Sequence, residues 1–283
     1  MQISTGIRVS FLTAVAMLAF AANSLLCRMA LVSTSVSPAI FSVVRLISGA
    51  VFLALLISLT QQKQGMQGSW KGASYLFIYA AAFSFAYVAM NTGTGALLLF
   101  GAVQITMLIE ALRKGETFSL PQWTGFSMAV VGLLILFLPG ATVPPLIPAI
   151  LMLCAGVAWG AYSLIGKSAS RPLLMTTGNF VRCVPLSLLL LPFGITDSFS
   201  ANGIILAVLS GALASGAGYA IWYSALPALS ASLAATVQLS VPVLAMIMGW
   251  LILDERLTAQ MLIAAAVTLS GVGLVIYYRA KVK

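Results

Sequence analysis

The sequence predicts an all-α membrane protein of ten transmembrane helices, arranged as two five-helix repeats of inverted topology. Three observations lead there. Hydrophobic residues make up 61% of the chain and charged residues 7%, with a mean hydropathy of +1.09, whereas a water-soluble domain carries about a quarter charged residues. The apolar runs are continuous and about 20 residues long, enough to cross a ~30 Å hydrocarbon layer, and lack the alternation of barrel strands. The rare charged residues recur at a nearly constant offset along the chain.

Taken in order, the spans are Val9–Leu31, Pro38–Leu59, Trp70–Met90, Gly93–Leu112, Leu120–Leu138, Leu146–Lys167, Leu173–Leu191, Gly203–Tyr223, Ser230–Leu253 and Thr258–Tyr278. Arg8 and the run after it resemble a signal sequence without a cleavage site, so the run reads as an uncleaved first helix. Asn91, Gly93 and Gly95 supply the turn between the third and fourth spans. Pro139, Gly140, Pro144, Pro145 and Pro148 part the fifth from the sixth, dividing the chain into residues 1–140 and 141–283. Cys27, Cys154 and Cys183 fall inside apolar runs without CxxC spacing, which indicates neither a disulfide framework nor a metal site.

The chain holds 14 basic and five acidic residues, no histidine, and a net charge of +9. The basic residues stand singly or in pairs between apolar runs, so they speak for membrane topology and against nucleic-acid binding. With the N-terminus inside, the inner loops hold Arg8, Lys63, Lys71, Arg113, Lys114, Lys167, Arg171, Arg279, Lys281 and Lys283. The outer side keeps Arg28 and Arg256, beside Asp197, Asp254 and Glu255. Both termini are therefore expected in the cytoplasm of a cell with this inner membrane.

An offset of 139 residues brings Glu116 onto Glu255, Arg28 onto Lys167, Gly132 onto Gly271, Ser24 onto Ser163 and Phe20 onto Trp159; Arg45 meets Arg182 at 137. Five helices per unit is an odd number, so the second unit enters the membrane from the side opposite to the first. Secondary transporters use such inverted repeats to place a substrate site near the midplane.

The phrases GALLLFGAVQITM and LRKGE in the first half, with VQLSVPVLAMIMGWLILDERLT in the second, resemble the drug/metabolite transporter superfamily and its bacterial EamA-type exporters. The resemblance covers nearly the whole chain. It implies alternating access around a central cavity lined by the first four helices of each half, with the fifth helices mediating contacts. It fixes no substrate, since members move amino acids, other metabolites, nucleotide sugars and toxic cations. The family's mid-helix proline is present as Pro242, while the fourth helix carries Val103 and Gln104 in that neighbourhood.

Pro242 removes a backbone donor and frees a carbonyl around Gln238, which suits a hinge or a ligand site as well as a packing kink. Gln104 and Gln238 lie at mid-depth, where an amide needs a partner: a cavity or an interhelical bond. The forks of Arg45 and Arg182 suit a carboxylate or phosphate; the competing role is snorkelling to headgroups or tying down helix-end carbonyls. Trp159 is expected in a cavity wall near Asn23, Ser24 and Ser163, with Tyr87, Tyr162, Asn179, Tyr219 and Trp222 as further substrate-binding candidates. Interface belts and packing explain the remaining aromatics and the Gly156–Gly160 pair. Glu110 has Arg113 and Lys114 at ion-pair spacing, and Glu116 and Glu255 are expected to organise the turns after their helices.

No GxxxxGK[ST] phrase is present, so transport is expected to be secondary or facilitative, without a cofactor. The expected partners are a small-molecule substrate, a small polar metabolite or amino acid, and the lipid bilayer; the chain is expected as a monomer or homodimer. Efflux of toxic cations by the same fold, or a scaffold without a transport path, are the other readings. An enzyme lacks its usual equipment here, with neither histidine nor a carboxylate pair within a span.

Overall fold

A computed structural model describes residues 5–60, 67–113, 115, 117, 119–138, 143–167, 169–194, 200–229 and 237–281. Lys63, Lys114, Glu116, Pro139, Gly140, Asp197, Lys283 and the start of the ninth expected span at Ser230 lie outside them, as do the side chains of Lys167, Arg279 and Lys281. The described residues contain no strand and form ten helical runs: α1 (Thr5–Ser33), α2 (Pro38–Leu59), α3 (Trp70–Tyr87), α4 (Thr92–Arg113), α5 (Leu120–Ile135), α6 (Leu146–Lys167), α7 (Pro172–Phe193), α8 (Ala201–Ala225), α9 (Ser240–Leu253) and α10 (Ala259–Lys281). Six contain stretches long and apolar enough to cross a membrane: Gly6–Ser33, Pro38–Leu59, Thr92–Arg113, Leu146–Gly166, Pro172–Phe193 and Ala201–Ala225. Shorter apolar helices cover Leu120–Ile135, Ser240–Leu253 and Ala259–Val275.

Local chemistry sets several boundaries. Ser37 caps α2 by accepting the Ile40 amide at 3.2 Å, and Pro38 occupies the first turn, where its missing donor costs nothing. Ser69 caps α3 in the same way through the Gly72 amide at 3.0 Å. The last turns of α7 tighten to a 3₁₀ helix over Leu188–Phe193. α8 widens to a π-helix over Leu209–Ala217, where Ser210, Gly211, Ser215 and Gly216 leave room for the extra residue per turn. A turn at Leu239 precedes α9, and Pro242 stands in its first turn, four residues after Gln238, so the break falls where a proline requires it.

The runs pack as a defined set of pairs. α5 lies along α10; α6 packs on α3 and α4; α1 packs on α8 and α9; α2 packs on α7 and α8; α3 meets α7, and α4 meets α9. Small residues set the closest approaches. A Cβ on Gly132 would stand 2.5 Å from the Thr268 amide nitrogen, and one on Gly125 2.6 Å from the Gly271 carbonyl oxygen, so backbones of α5 and α10 nearly touch. Gly132 and Gly271, 139 residues apart in the sequence, thus serve one seam.

Where α3 turns into α4 and α9 into α10, three elements are tied by charge. Arg28 of α1 donates from Nη1 to the carbonyls of Tyr87 and Val88, each at 2.8 Å, and its Nε stands 3.4 Å from Oε1 of Glu255. Both Glu255 oxygens accept the Thr92 amide, at 3.0 and 2.7 Å, placing negative charge on the N-terminus of α4. Glu255 is expected to organise its own turn; in the structure it instead reaches the other half of the chain. The turn is made by Asp254, left-handed at φ 52°, which lets the Glu255 amide return to the Gly249 carbonyl at 3.2 Å.

Two outcomes follow for thermal melts of the detergent-purified protein. Gly132→Ala should lower the melting temperature, because overpacking costs about 1–3 kcal/mol, whereas Gly273→Ala, with no atom within 4 Å of the new Cβ, should leave it unchanged or slightly raised; equal melting of the two would refute the close seam. Glu255→Gln should cost about 1–3 kcal/mol, and combining it with Arg28→Met should cost less than the sum of the single changes. Strict additivity in that cycle would show that the pair does not couple.

Candidate functional site

At the centre of the bundle lies a small cavity of about 10 Å³, room for roughly one water. Its wall is drawn from both halves of the chain: Phe20, Asn23 and Ser24 from α1, Tyr79 and Phe83 from α3, Leu99 and Phe100 from α4, Trp159 from α6, and Ala214, Ser215 and Tyr219 from α8. The floor is aromatic. Trp159 stacks on Tyr219 with centroids 5.0 Å apart, and it lies 4.9 Å from Tyr79 and 5.6 Å from Tyr162. Phe20 closes the group edge-on, 5.8 Å from Tyr219 and 6.2 Å from Trp222.

The polar rim is a chain of hydrogen bonds. Ser210 donates to Oδ1 of Asn23 at 2.7 Å, and Nδ2 of Asn23 donates to the Tyr79 hydroxyl at 3.1 Å. Arg45 of α2 sits directly behind. Its Nη2 donates to Tyr79 Oη at 3.0 Å and to Ser215 Oγ at 3.4 Å, and its Nε stands 3.4 Å from the same Oγ. The guanidinium also faces two rings, 5.1 Å from the centroid of Tyr79 and 4.9 Å from that of Phe83.

Arg45 is only 2% exposed, the largest fully buried side chain of the molecule among those described. Snorkelling, one expected role, is therefore overturned for this arginine: α3 and α8 enclose it before it can reach an interface. Taking a guanidinium out of water costs several kcal/mol even after relaxation. Hydrogen bonds to a charged group return about 1.5–3 kcal/mol each, and a desolvated cation–π contact about 2 kcal/mol. These partners hold the head group, yet Nη1 bonds to none of the described residues.

The other expected residues divide clearly. Asn23, Ser24, Trp159 and Tyr219 line the cavity, and Tyr162 and Trp222 buttress its aromatic floor. The Tyr162 hydroxyl donates a hydrogen bond to Oγ1 of Thr176 at 3.2 Å. Four others are absent from the wall and make structural bonds. Tyr87 donates to the Thr92 carbonyl at 3.1 Å, Ser163 returns to the Trp159 carbonyl at 2.8 Å, and Oδ1 of Asn179 accepts the Ser69 amide at 2.9 Å. Arg182 Nη1 donates to the carbonyls of Gln67 at 3.1 Å and Gly178 at 2.9 Å, the carbonyl-tying role. Gln104 is buried in α4, with its amide nitrogen bonded to no described residue. Pro242 lies in the first turn of α9 and Gln238 just before the turn that precedes it, both outside the cavity wall, and Glu110 is half-buried in the last turn of α4.

Tyr79, Ser210 and Ser215 are absent from the sequence-derived set. Tyr79, Phe83 and Tyr87 stand four apart, a stripe along one face of α3 that the sequence offers as a signal. Ser210 and Ser215 sit in SGALASGAG, where small residues read as packing.

Comparison with known proteins adds the family. The EamA-like transporter family matches residues 146–277, from the start of α6 to within the last turns of α10. A Pseudomonas aeruginosa protein described as uncharacterized is 50% identical over 95% of this chain and 94% of its own. An "Uncharacterized transporter YoaV" of Bacillus subtilis is 22% identical over 84% of this chain and 86% of its own. A "Probable amino-acid metabolite efflux pump" of Escherichia coli is 25% identical over 69% and 72%. A solved crystal structure shares the fold with a TM-score of 0.67 at 15% identity, covering 94% of this chain and 96% of that one. With its apolar membrane-crossing helices, the chain is a multi-pass membrane protein and belongs to the EamA-like transporters of the drug/metabolite transporter superfamily.

Proposed function

We propose that this transporter exports a small polar metabolite or amino acid by alternating access between two inverted five-helix repeats, residues 1–140 and 141–283. The observation that carries the reading is the central cavity, whose polar rim and aromatic floor are assembled from α1, α3 and α4 of one half and α6 and α8 of the other. A polar chamber buried between apolar helices has no packing advantage over an apolar core, but it gives a polar cargo a place to shed its water.

The packing pairs support the repeat. Exchanging each run with the one five places away turns α3–α6 into α8–α1, α4–α6 into α9–α1, and α2–α8 into α7–α3, while α2–α7, α4–α9 and α5–α10 map onto themselves. All of these pairs are present. The family match, confined to the last five runs, has the extent of one such unit. The distribution of Lys and Arg supports an inner membrane with both termini in the cytoplasm.

A chamber of about 10 Å³ holds a water and no metabolite, so loading requires the two halves to part. The Arg28–Glu255 contact then closes one end, and the break before Pro242 and the π-helix of α8 are where the backbone yields. Substrate binding is assigned to Asn23, Ser24, Tyr79, Trp159, Ser215 and Tyr219, with Arg45 behind them.

Counterflow in proteoliposomes with labelled amino acids and small metabolites, run with and without a pH gradient, tests the proposal. Flux of at least one class is expected. Trp159→Ala should reduce it by at least about tenfold, because the ring holds the floor together, while the melting transition stays cooperative. Absence of flux for every class would leave a membrane scaffold, and full flux in the variant would move the pathway elsewhere.

A further inference from the structure

We infer that the cargo carries a single negatively charged carboxylate, and that Arg45 is the group that selects it. This rests on the central cavity being the cargo site. The argument begins with a charge that lacks its complement. Arg45 is buried, and among the described residues every partner of its guanidinium is neutral: the Tyr79 and Ser215 hydroxyls and the rings of Tyr79 and Phe83. Among the described residues no carboxylate pairs with it; Glu255, the partnered acid, is held by Arg28 and the Thr92 amide instead. A buried cation without an anion is an unstable arrangement unless something else supplies the charge.

The geometry says where that charge would sit. Tyr79 and Ser215 are shared: each bonds Arg45 on one side and faces the cavity on the other. The orphan Nη1 leaves the guanidinium fork half used, and a carboxylate is the planar group that completes it. A carboxylate arriving from the cavity would take over the hydroxyls of Tyr79 and Ser215 and reach the guanidinium through or between them. The rest of the cargo would lie on Trp159 and Tyr219, whose near-parallel rings favour a flat or apolar body.

The charge count sets the class. One buried cation behind the wall matches one negative charge, whereas a phosphate dianion would leave an excess charge in a chamber whose own lining has no cation. A lone cation is repelled by Arg45 and finds no acid in the lining. The aromatic walls alone would have suited a cation; the guanidinium behind them reverses that preference. Efflux of toxic cations by this chain is thus disfavoured by its own central residue.

The test uses three probes with one body and different charge: phenylacetate, phenethylammonium and 2-phenylethanol, each titrated into the full-length protein in detergent while its melting temperature is followed. Phenylacetate should raise the melting temperature by a few degrees and saturate; the cation and the alcohol should not. Arg45→Gln should weaken the phenylacetate response by at least about 30-fold, and Arg45→Lys should retain part of it. Saturable stabilisation by the cation, equal effects of all three probes, or no response to phenylacetate in the wild-type protein would each overturn the inference, without needing any variant to fold. Flux assays separate this from the transport reading. Carboxylate binding without flux of any compound would sink transport and keep the selectivity, whereas cation flux would keep transport and sink the selectivity.

Discussion

The burial of one guanidinium constrains the centre of this bundle. Arg45 projects from α2 into a space that must be built around it, and each neighbour has been recruited to that end. Tyr79 and Phe83, one turn apart on α3, present a hydroxyl and two ring faces. Ser215 on α8 presents an acceptor to two guanidinium nitrogens. α8 can come that close because Gly211 meets the Arg45 backbone with no side chain between, and one turn on, Gly49 admits the Phe180 ring and the Gly211 carbonyl. The π-helical widening over Leu209–Ala217 falls on this contact. A bulkier residue at Gly211 would push α8 away and take the Ser215 hydroxyl with it.

Polar contacts elsewhere sit at the ends of helices and do different work. Arg28 and Glu255 join α1, the α3–α4 turn and the α9–α10 turn, where unsatisfied carbonyls and amides need partners. Arg182 and Asn179 do the same for the start of α3, holding Gln67 and Ser69. Arg45 and Arg182, matched in the sequence by their offset, have therefore parted in role. One is buried at the centre and the other ties an end.

The helical architecture was largely legible because apolar run length and punctuation are local properties. α2 and α6 begin and end where the sequence places them, at Pro38–Leu59 and Leu146–Lys167. α3 stops at Tyr87, short of the expected Met90, since its final carbonyls are claimed by Arg28 and its last tyrosine by Thr92. The site was legible in part. Trp159, Asn23, Ser24 and Tyr219 stood out as polar or aromatic groups in apolar runs. Arg45's burial did not, because its enclosing partners come from helices up to 170 residues away, and insertion cost alone favours an interface. Glu255 misled for the same reason: its partners Arg28 and Thr92 lie 227 and 163 residues off.

The neutrality of the cage around Arg45 has its own logic. A carboxylate placed beside the guanidinium would hold it more firmly, but would also cancel its field. Hydroxyls and ring faces fix the head group in position while leaving its charge in force. The cost falls on stability, since several kcal/mol of desolvation go uncompensated by an ion pair, and the aromatic packing of Phe20, Trp159 and Tyr219 around the chamber offsets it. Among the described residues, the buried guanidinium thus keeps its charge, and the ring cluster of Phe20, Tyr79, Trp159 and Tyr219 beside it supplies packing in place of an ion pair.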